Sequence, residues 1–307
     1  MDGFLKFGPI VLVLAIVAFG LFYWFDQRTP QVPSIMTQQV AKAEEAVRDD
    51  PNSVPARLAL GAMYDYAGRA DDAIAQYDEV LKVDAGNKDA LLGKGTVLVG
   101  KGDLDEAAAV FNTITEADRG GEFAGVDKRL EAAYHQLGLI GLARQEPEKA
   151  LEEFGHALAI NPTDADTLYQ SAVALGQLGR HDEAIATVQR ALTFVPTEWC
   201  EPYQQLASSY TALGQPEKAS YAGAMSTGCA GDTTTARAQL EGLVDGPAGA
   251  EAAVGLGGMA EVDGDIDAAV GWYRKALEID PQNMAAMTGL AGLGVAPDGA
   301  PTGEPKK

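Results

Sequence analysis

Side chains that commonly carry catalysis or bind metals are scarce in this sequence. Its 307 residues include only three histidines and two cysteines. His135, His156 and His181 have no partners at metal-ligand spacing, and there is no CxxC pair. The run Gly93–Thr96 lacks the preceding strand and the spacing of a phosphate-binding loop. The sequence therefore predicts a chain that is not an enzyme, needs no cofactor or metal, and has no small-molecule substrate.

A pattern that repeats about every 34 residues indicates which elements position the remaining polar side chains. It is clearest in Leu58–Leu81 and Tyr134–Leu158. In each, an apolar pair ends in a small residue, a Gly or polar turn follows, and an Ala and an aromatic residue come four positions apart. This period is typical of paired helices stacked into a solenoid. Such chains act mainly by holding other proteins, so their function must be sought on the surface.

The spacing resembles that of the tetratricopeptide repeat (TPR) family. That family has small residues at repeat positions 8 and 20 and an aromatic or large residue at 24, where the first unit has Gly61, Ala73 and Tyr77. Small residues let the two helices of a repeat approach closely, and large ones fill the remaining space. The resemblance implies an all-α TPR solenoid, a right-handed superhelix, over residues 34–294. The units lie at about 54–87, 88–121, 131–164, 165–198, 200–233 and 250–283.

The repeats are not uniform. Residues 122–130 are extra and separate the second unit from the third, and residues 234–249 hold one more helix that fits no unit. In the fifth unit Gly223 and Ser226 replace the expected large residue and Ala. The tail 295–307 is rich in Pro and Gly and is predicted to be disordered.

The N-terminal segment 7–25 has no charged residue and is close to the roughly 20 residues that a helix needs to cross a bilayer. It predicts a transmembrane anchor between a short tail, 1–6, and a linker, 26–33. A cleaved signal peptide is the alternative. Lys6 before the span favours a cytoplasmic N-terminus. The predicted localisation is a single-pass membrane protein with extracytoplasmic repeats, periplasmic or at the cell surface.

The two cysteines fall at the ends of the fifth unit. Cys200 comes at the start of its first predicted helix and Cys229 just past the end of its second. Because the two helices run antiparallel, these ends are expected to be neighbours, and a disulfide is geometrically plausible. Such a bond would stabilise the weakest unit by roughly 3–4 kcal/mol and would indicate an oxidising compartment. The alternative is two unrelated thiols.

In the TPR family the concave groove is lined by positions 2, 5, 9, 12 and 13 of each first helix. Mapped onto this sequence, they give acidic, amide, hydroxyl and aromatic residues: Asp65, Tyr66, Asp89, Thr96, His135, Asp166, Tyr169, Gln177, Glu201, Gln204, Ser208, Thr211 and Glu261. The absence of Lys and Arg among them argues against a clamp for a peptide's terminal carboxylate. We therefore predict a neutral or basic peptide or helix as ligand, held by Tyr66 and Tyr169. Alternatively, the groove is filled by the chain's own helices.

The net charge is -21, from 44 acidic and 23 basic residues, and it argues against nucleic acid as a partner. It fits either simple solubility or a dedicated basic partner. The leading hypothesis is a membrane-anchored scaffold or adaptor that binds proteins during an extracytoplasmic assembly process. The layout is similar to bacterial envelope TPR proteins, which include subunits that deliver apocytochrome to the cytochrome c maturation machinery. The alternative is a non-catalytic structural subunit of a stable membrane complex.

Overall fold

A computed structural model describes residues 35–118, 124–194 and 199–296. Within them the chain forms fifteen α-helices and one short 3-10 turn, Ala124–Val126, with no β-strand. Contacts divide the chain into two units, one ending at Ala85 and one beginning at Gly86. The prediction of an all-α helical-repeat solenoid is confirmed.

The first unit is a helix pair preceded by one further helix. These helices are α1 (Ile35–Asp49), α2 (Val54–Tyr66) and α3 (Ala70–Val83). Ser53 caps α2 by accepting a hydrogen bond from the Ala56 amide. The Tyr64 hydroxyl donates to Glu44 at 2.9 Å, and Arg69 binds the same carboxylate at 3.3 Å. These bonds tie α1 to the α2–α3 pair.

The second unit contains five helix pairs and two unpaired helices. The pairs are α4 (Lys88–Lys101) with α5 (Leu104–Asp118), α6 (Lys128–Ala143) with α7 (Pro147–Ile160), α8 (Ala165–Gln177) with α9 (His181–Leu192), α10 (Glu201–Ala212) with α11 (Pro216–Cys229), and α13 (Gly249–Val262) with α14 (Ile266–Ile279). The unpaired helices are α12 (Thr233–Glu241) and α15 (Met284–Gly292). Helix α6 begins at Lys128, so it takes up the end of the extra segment 122–130.

An aromatic ring lies directly on a glycine within most pairs. A Cβ added at Gly95 would lie 2.5 Å from Phe111, and one at Gly257 would lie 2.6 Å from Tyr273. Gly61 with Tyr77 and Gly138 with Phe154 repeat the contact. All four rings are buried. The glycine on the first helix is therefore what allows the ring on the second helix to pack against backbone.

The turn between the two helices of a pair needs a left-handed residue. Gly102, for example, has φ 82° and ends α4. The equivalent residue of the α6–α7 pair is Gln145, with φ 60°, where an L side chain is strained. The repeat pattern did not predict this strained position.

The α10–α11 pair, which corresponds to the fifth predicted repeat, is closed by a disulfide. Cys200 and Cys229 are bonded, with their Cα atoms 5.4 Å apart. Cys200 is the N-cap of α10 and Cys229 is the last residue of α11. The bond therefore joins the free ends of one helix pair.

The predicted localisation is wrong. Across residues 35–118, 124–194 and 199–296, no helix is long and apolar enough to span a membrane. The longest, α6, has 16 residues and carries charges in its first turn, whereas a span needs roughly 20 apolar residues. The predicted anchor 7–25, with the flanking segments 1–6 and 26–33, lies outside the described residues. So does the predicted tail from residue 297 onward, although the amide of Val295 still donates to the Leu290 carbonyl at 2.9 Å.

Candidate functional site

The first helices of four successive pairs form a continuous surface, which we call the first-helix face. Helix α4 contacts α6, α6 contacts α8, and α8 contacts α10. Most predicted groove residues on these helices are exposed: Asp89, Thr96, Asp166, Gln177, Glu201, Gln204, Ser208 and Thr211. His135 and Tyr169 are partly buried. Asp65 and Tyr66 are exposed at the end of α2 in the first unit, and Glu261 lies on α13.

His135 connects α6 to α8. Its Nδ1 lies 2.7 Å from the hydroxyl of Thr167, and its Nε2 lies 3.2 Å from Asp166. The hydrogen bond from His135 holds the pKa of Asp166 below its usual value. The His135 side chain is 14% exposed, whereas that of Asp166 is 58% exposed. His135 is therefore a structural link, and Asp166 is the group that a partner can reach.

Next along α8, Tyr169 packs edge-on against Trp199, with ring centroids 5.1 Å apart. Burial raises the pKa of the Tyr169 hydroxyl, and the nearby charges of Glu201 and Asp166 raise it further. Tyr169 of this aromatic pair therefore lies close enough to two carboxylates to feel their charge. The sequence did not predict Trp199 because this residue precedes the fifth repeat, at about 200–233, and occupies no groove position.

A second charged cluster was also missed. Arg129 donates two hydrogen bonds to Asp89, at 2.6 and 2.9 Å, and lowers the pKa of that carboxyl. Lys88 binds Asp127 at 2.5 Å, and Asp127 also caps α6 by accepting from the Arg129 amide. Asp89, predicted as a groove acid, is thus already matched by a cation from the extra segment.

Glu261 is engaged elsewhere. Burial raises the pKa of Tyr273, and the hydrogen bond that its hydroxyl donates to the Glu261 carboxylate raises it further. The ring of Tyr273 forms part of the wall of a cavity of about 340 Å³. This cavity is bounded by α10, α11, α12, α13 and α14, and no groove prediction pointed to it. Within the described parts of the chain, no cluster of His, Cys, Asp and Glu could hold a metal ion.

Comparisons with known proteins agree with this architecture. One model described as Tetratricopeptide repeat matches residues 58–122 and 228–283, and a second with the same description matches residues 141–208. Together they match more than half of the chain. No curated protein matches it in sequence.

Solved structures show the same fold at low sequence identity. PilF of Pseudomonas aeruginosa is 18% identical with a TM-score of 0.54, covering 74% of this chain and 96% of its own. MamA of Desulfovibrio magneticus RS-1, from residue 41 to its end, is 18% identical with a TM-score of 0.51, covering 58% and 97%. YrrB, described as a TPR protein with an unusual peptide-binding site, is 20% identical with a TM-score of 0.50, covering 63% and 95%.

Tetratricopeptide repeats mediate protein–protein interactions, and the scaffold they form is typically non-catalytic. Repeat spacing, glycine–aromatic packing and both matching models converge on one assignment. The chain belongs to the tetratricopeptide repeat family.

Proposed function

We propose that this chain is a scaffold or adaptor that binds a neutral or basic peptide or helix on the first-helix face of its second unit. Membership of the TPR family supports protein binding in general. YrrB, which shares the fold, is described as having a peptide-binding site. The proposal adds where the ligand binds on this chain and what charge it carries.

The arrangement around Tyr169 is the observation that carries the proposal. Tyr169 and Trp199 form an edge-on pair, and the carboxylates of Asp166 and Glu201 act on the same tyrosine. Aromatic rings accept apolar side chains and the faces of Lys and Arg cations. Carboxylates beside them favour a basic ligand and repel an acidic one.

The surrounding charges also favour a neutral or basic ligand. None of the predicted groove residues is Lys or Arg, and the nearby Arg129 is already bound by both oxygens of Asp89. An anionic ligand would have to compete with Asp89 for that guanidinium. The net charge of -21 adds a long-range preference for cations, which acts mainly on association rate and is weakened by salt.

The experiment begins with peptides selected from a random 12-residue library on the immobilised protein. The selected peptides are expected to be neutral or positively charged. Tyr169→Ala and Asp166→Lys should each weaken binding of a selected peptide by roughly tenfold or more. Glu152→Lys, which makes the same charge change at an exposed position of α7, is the matched control and should leave binding within about twofold.

Unchanged binding in both groove variants, or selection of acidic peptides, would overturn the proposal. The alternative of a fixed structural subunit predicts stoichiometric co-purification with one partner and no peptide binding. We do not propose a role in cytochrome c maturation, because it depends on an extracytoplasmic anchored localisation that no helix among the described residues supports.

A further inference from the structure

We infer that the cavity between α10 and α14 is a second binding site, which takes one apolar side chain, aromatic or aliphatic, from a peptide with neutral or basic flanks. We call it the methionine pocket after Met225 and Met259 in its wall. The inference rests on the proposed function in one respect, namely that the ligand is a peptide. The pocket shares α10 with the first-helix face, but none of its lining residues is among the predicted groove residues.

The extra helix α12 is part of the reason that a cavity exists here. Between the other successive pairs of the second unit, the second helix of one pair packs directly on the first helix of the next, as α7 does on α8. After α11, however, α12 intervenes and contacts both α11 and α13. The cavity opens among these helices and is completed by Tyr203 of α10. Its volume of about 340 Å³ lies at the small end of ligand sites, which suits one large side chain.

Two methionine–glycine contacts form part of the wall. A Cβ at Gly255 on α13 would lie 2.7 Å from Met225 Sδ, and one at Gly228 on α11 would lie 2.5 Å from Met259 Cε. Each methionine therefore crosses from its own helix onto the bare backbone of the other. Methionine is unbranched and polarisable, so it adapts to side chains of different shape and makes favourable contacts with aromatic rings.

Polar groups at the pocket are few and mostly matched. Arg237 and Asp263 form an ion pair at 2.5 Å, and Asp263 is 57% exposed. An anionic ligand would have to compete with Asp263 for Arg237. Residues 200–296 contain twelve acidic and four basic side chains, so the surrounding surface disfavours acidic flanks and favours neutral or basic ones. The Tyr221 hydroxyl stays protonated at all ordinary pH because burial raises its pKa strongly, and it adds no charge.

Gly258 offers a way to fill the pocket without disturbing its wall. It lines the cavity, and a Cβ there would meet only the Tyr273 hydroxyl, at 3.9 Å. Gly258→Leu therefore places a side chain in the space assigned to the ligand. Gly271→Leu makes the same change on an exposed part of α14, where a Cβ meets nothing within 4 Å, and is the matched control.

The test uses the full chain with its seven methionine methyl groups carbon-13 labelled. N-acetyl-tryptophanamide is the probe, and N-acetyl-alaninamide is the probe control. We expect the Met225 and Met259 methyl signals to shift with the tryptophan probe, while the signal of the exposed Met284 stays in place. The shifts should be lost in Gly258→Leu and kept in Gly271→Leu. Among five-residue peptides centred on Trp, those with Lys flanks should bind more tightly than those with Glu flanks.

Absence of shifts at Met225 and Met259, equal shifts with the alanine probe, or shifts that survive Gly258→Leu would each overturn the inference. So would equal or tighter binding of the Glu-flanked peptide. Shifts that appear when the protein alone is concentrated would mean that a second copy occupies the pocket, and would also overturn it. Failure here is distinguishable from failure of the proposed function, because Tyr169→Ala and Asp166→Lys leave the pocket intact.

Discussion

The glycine–aromatic contact makes a quantitative prediction at Gly95. In Gly95→Ala the new methyl carbon would lie 2.5 Å from Cε1 and Cζ of Phe111. Unbonded carbons settle at about 3.5–4.0 Å, so the ring must move by roughly 1 Å. Phe111 is fully buried, so the ring cannot move into solvent without losing its packing. Overpacking of this kind costs about 1–3 kcal/mol.

The helix propensity of alanine opposes this loss of stability. Alanine is favoured over glycine within a helix by up to about 1 kcal/mol. Gly100→Ala in the same helix gains this preference without a clash, because a Cβ there meets nothing within 4 Å. Taking the difference between the two variants cancels most of the propensity term. Gly95→Ala should therefore be less stable than Gly100→Ala by about 1–3 kcal/mol.

Urea unfolding followed by circular dichroism measures this difference. With a slope of about 2 kcal/mol/M, the midpoint of Gly95→Ala should fall roughly 0.5–1.5 M below that of Gly100→Ala. Adding Phe111→Leu, which removes ring atoms from the clash, should cost less in the Gly95→Ala background than alone. Equal midpoints for the two alanine variants would refute the argument that the glycine is required by the ring.

Three further predictions follow from contacts in the second unit. Cys200→Ser with Cys229→Ser should lower the free energy of unfolding by about 3–4 kcal/mol, since the bond closes a loop of 29 residues; two free thiols in unreduced, denatured protein would contradict the bond itself. The pKa of Asp127 is lowered chiefly by the hydrogen bond from Lys88, so its contribution to stability is present above about pH 4 and is lost as pH falls through its lower folded pKa. Asp127→Asn should therefore reduce stability at pH 7 and flatten its decline in acid, as measured by urea midpoints at pH 7 and pH 3; parallel declines would exclude this role. Gln145→Gly should raise the free energy of unfolding by about 1 kcal/mol because it relieves a left-handed backbone, and a loss of stability in thermal unfolding would count against that strain.

The architecture was predictable because it depends on residues close together in sequence. Gly95 and Phe111 are sixteen positions apart, and the same spacing recurs in several repeats. The interactions that were missed join residues distant in sequence. Arg129 reaches Asp89 from the extra segment, and nothing in the repeat pattern assigns it a partner. The strain at Gln145 was missed because the residue type gives no sign of its backbone angle.

The candidate sites were only partly predictable for a related reason. Family positions identify which residues face the first-helix surface, but not which are already bound, as His135 is to Thr167. The methionine pocket was hidden because its wall joins residues about thirty positions apart, Met225 with Gly255 and Gly228 with Met259, and no repeat position pairs them. The prediction of a membrane protein relied on residues 7–25 alone, and no helix among the described residues supports it.

Helix α12 also affects how unfolding spreads through the second unit. In repeat proteins, stability is approximately a sum of each unit's own stability and its interfaces with nearest neighbours, so cooperativity passes from unit to unit. Between the α10–α11 pair and the α13–α14 pair, much of this cooperativity must pass through the nine residues of α12. We expect α13, α14 and α15 to exchange their amide hydrogens as one group, at a lower free energy than the pairs before them. A ligand in the methionine pocket would touch both sides of this weak interface, and its binding would make the two segments unfold together.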